Sequence, residues 1–337
     1  MKIAIVTDAW HPQVNGVVRT LDTTGQHLRH LGHEVLFVSP EDFRTVPCPT
    51  YPQIRLAVFP RTGVGRRLSA FAPDAIHIAT EGPLGHAAHH YCRKRKLPFT
   101  TSFHTQFPEY VRLRAPIPTA WSYAYLRRFH SKAARTFVPT ESQHNLLQRW
   151  GFQNLRIWSR GVDSKVFNPE DPVDYGLPKP VMMYMGRVAV EKNIEAFLDV
   201  DATGSKVVVG DGPDFDKLVG RYSDVTFVGA KFGRELARHV AGGDVFVFPS
   251  RTDTFGLVLL EAMACGLPVA AFPVIGPRDV IEHGVSGVLD EDLGSAIQGA
   301  LRLPRNAAIA HARNYSWDSC TNTFFDNLAP IGSVAAA

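Results

Sequence analysis

Six residues of this chain combine a reactive type with a telling setting: Gly16, His104, Arg187, Lys192, Asp253 and Glu261. Asp253 and Glu261 belong to the stretch Val245–Phe272, VFVFPSRTDTFGLVLLEAMACGLPVAAF, with seven residues between them. The stretch reads as a buried strand, a polar loop carrying Asp253, and a helix over about 255–265 with Glu261 in its second turn. A helix start offers unpaired N–H groups and a positive partial charge, so it can hold a phosphate. Two carboxylates beside it can hold sugar hydroxyls, and together these features fit a nucleotide-sugar. Arg187 and Lys192, in GRVAVEKN, lie between a strand end and a helix start. There a forked guanidinium and a point-charge ammonium can meet a diphosphate and neutralise it as it leaves. Taken alone, the same run also fits a charged surface. His104 stands at the carboxyl end of a strand over 98–103, where open α/β sheets place ligands; a lone histidine equally fits a structural role. Gly16, at a loop-to-helix turn, lets a phosphate or sugar approach the backbone, or simply starts a helix.

Alternating strands and helices must position these groups. Lys2–Thr7, then a helix after Gly16 closed by Gly32, then Glu34–Val38 make a strand–helix–strand unit, which implies parallel strands with a right-handed crossover. The GxGxxG dinucleotide fingerprint is missing there, which argues against a dehydrogenase. Strands are expected at 75–79, 98–103 and 136–139. The proline-rich Asn168–Pro180 has the composition of a linker. A second alternation follows, with strands at 181–185, 206–209, 225–228 and 245–248. Gly210-Asp211-Gly212 is followed by Phe215 where a third glycine would complete a dinucleotide loop. Asp199-Val200-Asp201 has metal-binding spacing but precedes its strand, at the wrong sheet end, and reads as solvated charge.

With 337 residues the chain has room for two ordinary domains. Its four cysteines are widely spaced without a CxxC pair, which argues against a disulfide framework or zinc site and suits a reducing compartment. The beginning, MKIAIVTDAWHP, is too polar for a signal peptide, and the uncharged run 262–277 is short of a membrane span and broken by Pro268 and Pro273. A net charge of +4 hides an asymmetry: residues 1–165 hold 22 Lys/Arg against 10 Asp/Glu, and residues 166–337 hold 14 against 22. Arg93–Lys96 and Tyr110–Arg135 interleave basic and aromatic residues, with Trp121, Tyr125 and Phe129 at four-residue spacing. This fits an amphipathic helix at an anionic membrane, or a helix packed on its own sheet with a basic edge. No nucleic-acid module signature is present.

Taken together, FVFPSRTDTFGLVLLEAMACGLPVAA, GRVAVEKN, GDGP, RGVDSKVFNP and WHPQVNGVVRT resemble the retaining glycosyltransferases of family four, which have the GT-B fold, over nearly the whole chain. The resemblance implies an α/β protein of two Rossmann-like, doubly wound domains facing across a cleft. These are an acceptor-side domain over 1–168 and a nucleotide-sugar-binding domain over 169–315, with a closing helix at about 316–328 (around YSWDSC) returning to the first. It implies that Arg187 and Lys192 hold the donor diphosphate without a metal, and that Glu261 holds the ribose hydroxyls. Asp253 with the backbone of Thr254, Phe255, Gly256 and Leu257 would hold the sugar and diphosphate. Gly16 would approach the donor from the first domain, and His104 would lie near the transferred sugar. Two departures bear on donor identity: Asp253 stands where many relatives have Glu, and Asn15-Gly16 where they have paired glycines.

DTFG with SFHTQFPEY is similar to the branch containing GDP-mannose-dependent mannosyltransferases, sulfoquinovosyl-lipid synthases and glucosyl or glucuronosyl diacylglycerol synthases. The expectation is retaining transfer of glucose or glucuronate from a UDP-sugar to a membrane lipid, diacylglycerol first, with GDP-mannose-dependent mannosyl transfer as the alternative. No cofactor is expected beyond the donor substrate. The expected partners are the donor, the lipid acceptor and an anionic membrane, without nucleic acid, at the cytoplasmic face of the plasma membrane. A nucleotide-sugar epimerase and a non-catalytic nucleotide-binding protein are the rivals.

Overall fold

The computed structural model describes residues 1–332 except Val14, 49–50 and 115–117, with backbone only at 51–53, 110, 111, 113 and 114. Val14 of the WHPQVNGVVRT motif and part of the basic–aromatic segment therefore lie outside the described residues. The chain divides into two compact units, Met1–Ser159 with the chain from Trp317, and Arg160–Ser316.

The first unit contains β1 (Lys2–Val6), α1 (Gly16–His30), β2 (Glu34–Val38), β3 (Thr45–Cys48), β4 (Tyr51–Ala57), α2 (Arg61–Phe71) and β5 (Ala75–Ile78). It continues with α3 (Pro83–Arg95), β6 (Thr100–Ser102), α4 (Phe107–Arg114), α5 (Thr119–His130), β7 (Arg135–Val138), α6 (Glu141–Arg149) and β8 (Leu155–Ile157). Six parallel strands are ordered β2-β1-β5-β6-β7-β8. The central strands β1, β5, β6 and β7 are buried on both faces, as a helix-covered parallel sheet requires, while the edge strands β2 and β8 are more exposed. The order reverses between β1 and β5, the switch point at which such sheets bind ligands beyond their carboxyl ends. The antiparallel β3–β4 hairpin and α2 have no counterpart in the sequence reading.

The second unit contains β9 (Val181–Met185), α7 (Glu195–Leu198), β10 (Ser205–Val209), α8 (Phe215–Arg221), β11 (Thr226–Gly229), α9 (Gly233–Ala241) and β12 (Val245–Phe248). It closes with α10 (Leu257–Ala264), β13 (Val269–Ala271), α11 (Pro277–Val280), β14 (Gly287–Leu289), α12 (Leu293–Ala300) and α13 (Arg305–Ala312). Its parallel sheet is ordered β11-β10-β9-β12-β13-β14, with the switch point between β9 and β12. Two apolar layers cover the sheet, one built on Phe246, Leu259 and Met263 and the other on Phe197, Val208 and Ile297.

The division falls after Ser159, ahead of the proline-rich segment that composition pointed to. The reason is packing: Val162 N donates to Tyr315 O at 3.0 Å, and Val162 and Phe167 are buried in the second unit's core. After Ser316 the last helix, α14 (Trp317–Asp326), belongs to the first unit. It is fixed there by Trp158 Nε1 donating to Cys320 O at 3.1 Å and by His27 against Asp318 at 2.9 Å. No helix among the described residues is long and apolar enough to cross a membrane.

Candidate active site

The second unit's switch point carries most of the residues singled out above. β9 and β12 are hydrogen-bonded neighbours, so the loops leaving their carboxyl ends, 186–193 and 249–256, emerge side by side. Arg187 and Lys192 lie on the first loop and Asp253 on the second. Lys192 Nζ donates to both carboxylate oxygens of Asp253, at 2.7 and 2.9 Å. Their side chains are 22% and 16% exposed, so the pair is partly shielded yet open to a ligand. Neighbouring contacts hold the two loops together. Asn193 Nδ2 donates to Pro249 O at 3.0 Å, and the Thr252 hydroxyl donates to Glu191 O at 3.4 Å.

Arg187 lies two residues past the end of β9 and is half-buried. Its carbonyl accepts from the Tyr184 hydroxyl at 2.8 Å, and burial pushes that phenol well above its ordinary pKa, keeping it a donor. The glycines of GDGP fit closely against this loop. A Cβ on Gly210 would lie 1.8 Å from Gly186 O, and one on Gly212 would lie 2.2 Å from Val188 O. Their function in this fold is close backbone approach, with Val188 N donating to Asp211 O at 2.9 Å.

Beyond Asp253, Thr254 and Phe255 turn inward and Gly256 caps α10 in the left-handed region (φ +84) with no side-chain cap bond. Leu257 is the first helical residue, two positions later than the sequence indicated. Glu261 is 3% exposed on α10, and Phe255 packs edge-on against Tyr315. Gly276, which sequence reasoning passed over, underlies this loop. Its φ of +92 and the 3.1 Å gap from a would-be Cβ to the carbonyl oxygens of both Asp253 and Phe255 leave room for glycine alone. Its sequence signal was the Gly276-Pro277 dipeptide.

Asp199 accepts from the Tyr222 hydroxyl at 2.6 Å, a structural contact, and among the described residues no group of three His, Cys, Asp or Glu side chains is arranged to hold a metal.

Gly16 and His104 belong to the first unit. Gly16 opens α1, and Asn15 Oδ1 accepts from Val17 N and Val18 N at 3.0 Å, so this helix start is capped by its own chain. His104 lies just past the carboxyl end of β6, half-buried, with its ring edge-on to Trp158 at 5.8 Å. The same sheet edge holds a polar group that sequence reasoning missed. Asp8, after β1, accepts from Leu84 N at 2.8 Å, Gly85 N at 3.2 Å and the Thr80 hydroxyl at 2.8 Å. Burial raises its pKa, those hydrogen bonds oppose the rise, and the Glu81 carboxylate adds to it. Glu81 pairs with His130 Nε2 at 3.1 Å, and His130 Nδ1 meets the Thr101 hydroxyl at 2.9 Å.

The model of Glycosyltransferase Family 4 matches residues 14–166, and that of Glycosyl transferases group 1 matches residues 179–306. A protein of Mycobacterium tuberculosis named GDP-mannose-dependent alpha-mannosyltransferase is 31% identical over 86% of this chain and 83% of its own. One of the same name from Corynebacterium glutamicum is 32% identical over 98% and 89%. The chain belongs to glycosyltransferase family 4. This family 4 enzyme is also 32% identical to a sulfoquinovosyl transferase of Arabidopsis thaliana, over 81% of this chain and 60% of that one. Among solved structures, sucrose-phosphate synthase of Thermosynechococcus elongatus superposes with a TM-score of 0.73, at 20% identity, over 96% of this chain and 97% of that one. The two doubly wound units are thus the Rossmann-like domains of the GT-B fold, and the chain is a hexosyltransferase.

Proposed function

We propose that this family 4 glycosyltransferase moves a mannosyl group from GDP-mannose to a lipid acceptor at an anionic membrane surface, with retention at the anomeric carbon. The observation that carries the choice of donor is the identity of 31–32% over 86–98% of the chain with proteins named for GDP-mannose. It reverses the order reached from sequence, where a UDP-hexose came first. Transfer of glucose or glucuronate from a UDP-sugar to diacylglycerol stays as the second reading, favoured by the likeness, at 23–27% identity, to proteins named alpha-monoglucosyldiacylglycerol synthase.

In this reading Arg187 and Lys192 take the diphosphate, Glu261 the ribose hydroxyls, and Asp253 with the backbone of Thr254–Leu257 the sugar. Gly16 and His104 act from the first domain, His104 near the transferred sugar. The acceptor hydroxyl attacks the anomeric carbon on the face from which GDP departs. The new C–O bond forms as the old one breaks, GDP leaves with the bonding pair, and a phosphate oxygen receives the acceptor's proton. The residues supply positioning and fixed positive charge, so no divalent ion is required. The proposed setting is peripheral, at the cytoplasmic face of the plasma membrane, without nucleic acid.

The test is a donor panel of GDP-mannose, UDP-glucose, UDP-glucuronate and UDP-galactose with diacylglycerol-containing micelles, read by mass spectrometry of the lipid. A mannosyl lipid supports the proposal. Glucosyl or glucuronosyl product alone moves the reading to the second donor, and sugar transferred only to soluble glycans sinks the lipid acceptor.

A further inference from the structure

We propose that the solvent face of α2, α3 and α5 is a docking surface for an anionic lipid bilayer, edged by Phe59, Trp121 and Tyr125. The inference deepens the lipid-acceptor reading and rests on it for its biological setting.

The three helices form one face. They lie on the crossovers that step the chain outward to β5, β6 and β7, and right-handed crossovers in one direction share a side of the sheet. α2 packs on α3, with the Ser69 hydroxyl 3.0 Å from the Tyr91 hydroxyl. α3 packs on α5, with Phe129 against His86 and His89 at ring-centroid distances of 5.0 and 5.1 Å.

The face is predominantly basic. The three helices carry eight Lys/Arg residues and no Asp or Glu, and of the eight Arg67 is paired with Asp42 at 3.0 Å. Arg66, Lys94 and Arg128 are exposed on the outward stripes, away from the buried Leu68, Tyr91 and Leu126. Such a field repels itself and is relieved by a polyanionic surface.

The aromatic edge distinguishes a bilayer from a polar polyanion. Phe59 is 93% exposed and has φ +50, a conformation uncommon for a bulky residue, so the backbone turns this ring outward. Trp121, in the first turn of α5, is 73% exposed, and Tyr125 is 48% exposed. These helices run antiparallel to the strands, so Phe59 just ahead of α2 and Trp121 at the start of α5 mark the carboxyl-end margin. The margin is continuous from α3 to α5: the His86 ring hydrogen-bonds the Tyr125 hydroxyl, and burial lowers the His86 pKa, with the Glu81 carboxylate opposing that shift and the Arg61 guanidinium adding to it. Rings at such a margin suit headgroup depth, and the cations behind them suit acidic headgroups. The same sheet edge carries Glu81 and His104, so docking this way brings it to the layer that holds a lipid hydroxyl.

The test is co-sedimentation of the full chain, without sugar nucleotide, with vesicles of pure phosphatidylcholine and of phosphatidylcholine mixed equally with phosphatidylglycerol. Binding to the mixed vesicles alone, lost at about 0.5 M salt, is expected. Arg66→Gln with Arg128→Gln should weaken it about 25-fold, near fivefold per cation. Phe59→Ser and Trp121→Ser should each weaken it about tenfold or more. Trp121 emission should shift to the blue on the vesicles, a change missing in Trp121→Phe. Transfer to a short-chain, water-soluble acceptor is measured in parallel and should be unchanged in these variants. Intact transfer with no vesicle binding, or with binding indifferent to the substitutions, overturns the docking surface alone. Intact binding with no transfer overturns the functional reading alone. Displacement from vesicles by an RNA homopolymer that binds the same face more tightly also overturns the proposal.

Discussion

Replacing Lys192 with alanine strips Asp253 of the ammonium that touches both its carboxylate oxygens, at 2.7 and 2.9 Å. Two unit charges about 4 Å apart attract by about 4 kcal/mol at an effective dielectric of about 20. The side chains keep 22% and 16% of their exposure, so solvent takes a share of that attraction. What is left falls within the range of about 1.5–3 kcal/mol for charge-assisted hydrogen bonds. If the donor diphosphate meets Lys192, the variant loses that contact and leaves a bare carboxylate facing the anion. Lys192→Ala should therefore weaken GDP binding by about 2–3 kcal/mol, roughly 30- to 150-fold. Asp253→Asn releases the ammonium toward phosphate, so GDP should bind within about threefold of wild type or more tightly, while transfer of the sugar falls. The double variant Lys192→Ala/Asp253→Asn should bind GDP better than Lys192→Ala by about 1 kcal/mol, because the orphaned charge is gone. Isothermal titration at fixed ionic strength measures all four affinities. Wild-type binding by Lys192→Ala, or an equal loss in Asp253→Asn, would refute the assignment of charge at this site.

Arg187→Ala should lower kcat/KM for the donor by about 100- to 1000-fold with the thermal midpoint unchanged, and near-normal transfer would count against a phosphate role. Gly276→Ala forces a Cβ against the carbonyls of Asp253 and Phe255 at φ +92, so a loss of about 1–3 kcal/mol in stability and weaker donor binding are expected from urea unfolding and titration. His77 is buried between the Thr100 and Ser102 hydroxyls, and burial lowers its pKa to about 3. The unfolded chain takes a proton there near pH 6.5 and the folded chain does not. The contribution of His77 to stability is therefore flat above about pH 6.5 and falls by about 1.4 kcal/mol per unit below it, or about 2 kcal/mol by pH 5. Urea midpoints for His77→Gln should show that slope reduced by one proton; an unchanged slope would contradict the assignment. Excess EDTA should leave the transfer rate within about twofold, since Arg187 and Lys192 supply the charge at the diphosphate; loss of activity restored by a divalent ion would overturn that point.

Much of the architecture was legible because each sheet is written as short apolar runs between helix starts and stops. KIAIV, VMMYM and VFVF are strands within a residue or two of expectation. The β3–β4 hairpin escaped because Pro47, Pro49 and Pro52 interrupt the alternation that marks a strand, and α2 because Gly63 and Gly65 blur its period. Arg187 and Lys192 could be placed by their position after a strand. Their partner could not: Lys192 and Asp253 are 61 residues apart, and only the pairing of β9 with β12 brings them together. Gly276 was hidden for the same reason, since the carbonyls it accommodates belong to residues 253 and 255. The Trp121–Tyr125–Phe129 spacing pointed to one amphipathic stripe. Each four-residue step advances about 40° around a helix, so the stripe turns. It runs from exposed Trp121 to buried Phe129, leaving Trp121 and Tyr125 outward while Tyr123, Leu126 and Phe129 form the inner face.

The most direct test of the central claim is a single mixture of equal GDP-mannose and UDP-glucose with the lipid acceptor. It is read by mass spectrometry for the sugar and by the one-bond C–H coupling at the anomeric carbon for configuration. The account predicts an α-mannosyl lipid as the main product, missing with Arg187→Ala. A glucosyl lipid, a β-linked product, or the same yield from Arg187→Ala would contradict it.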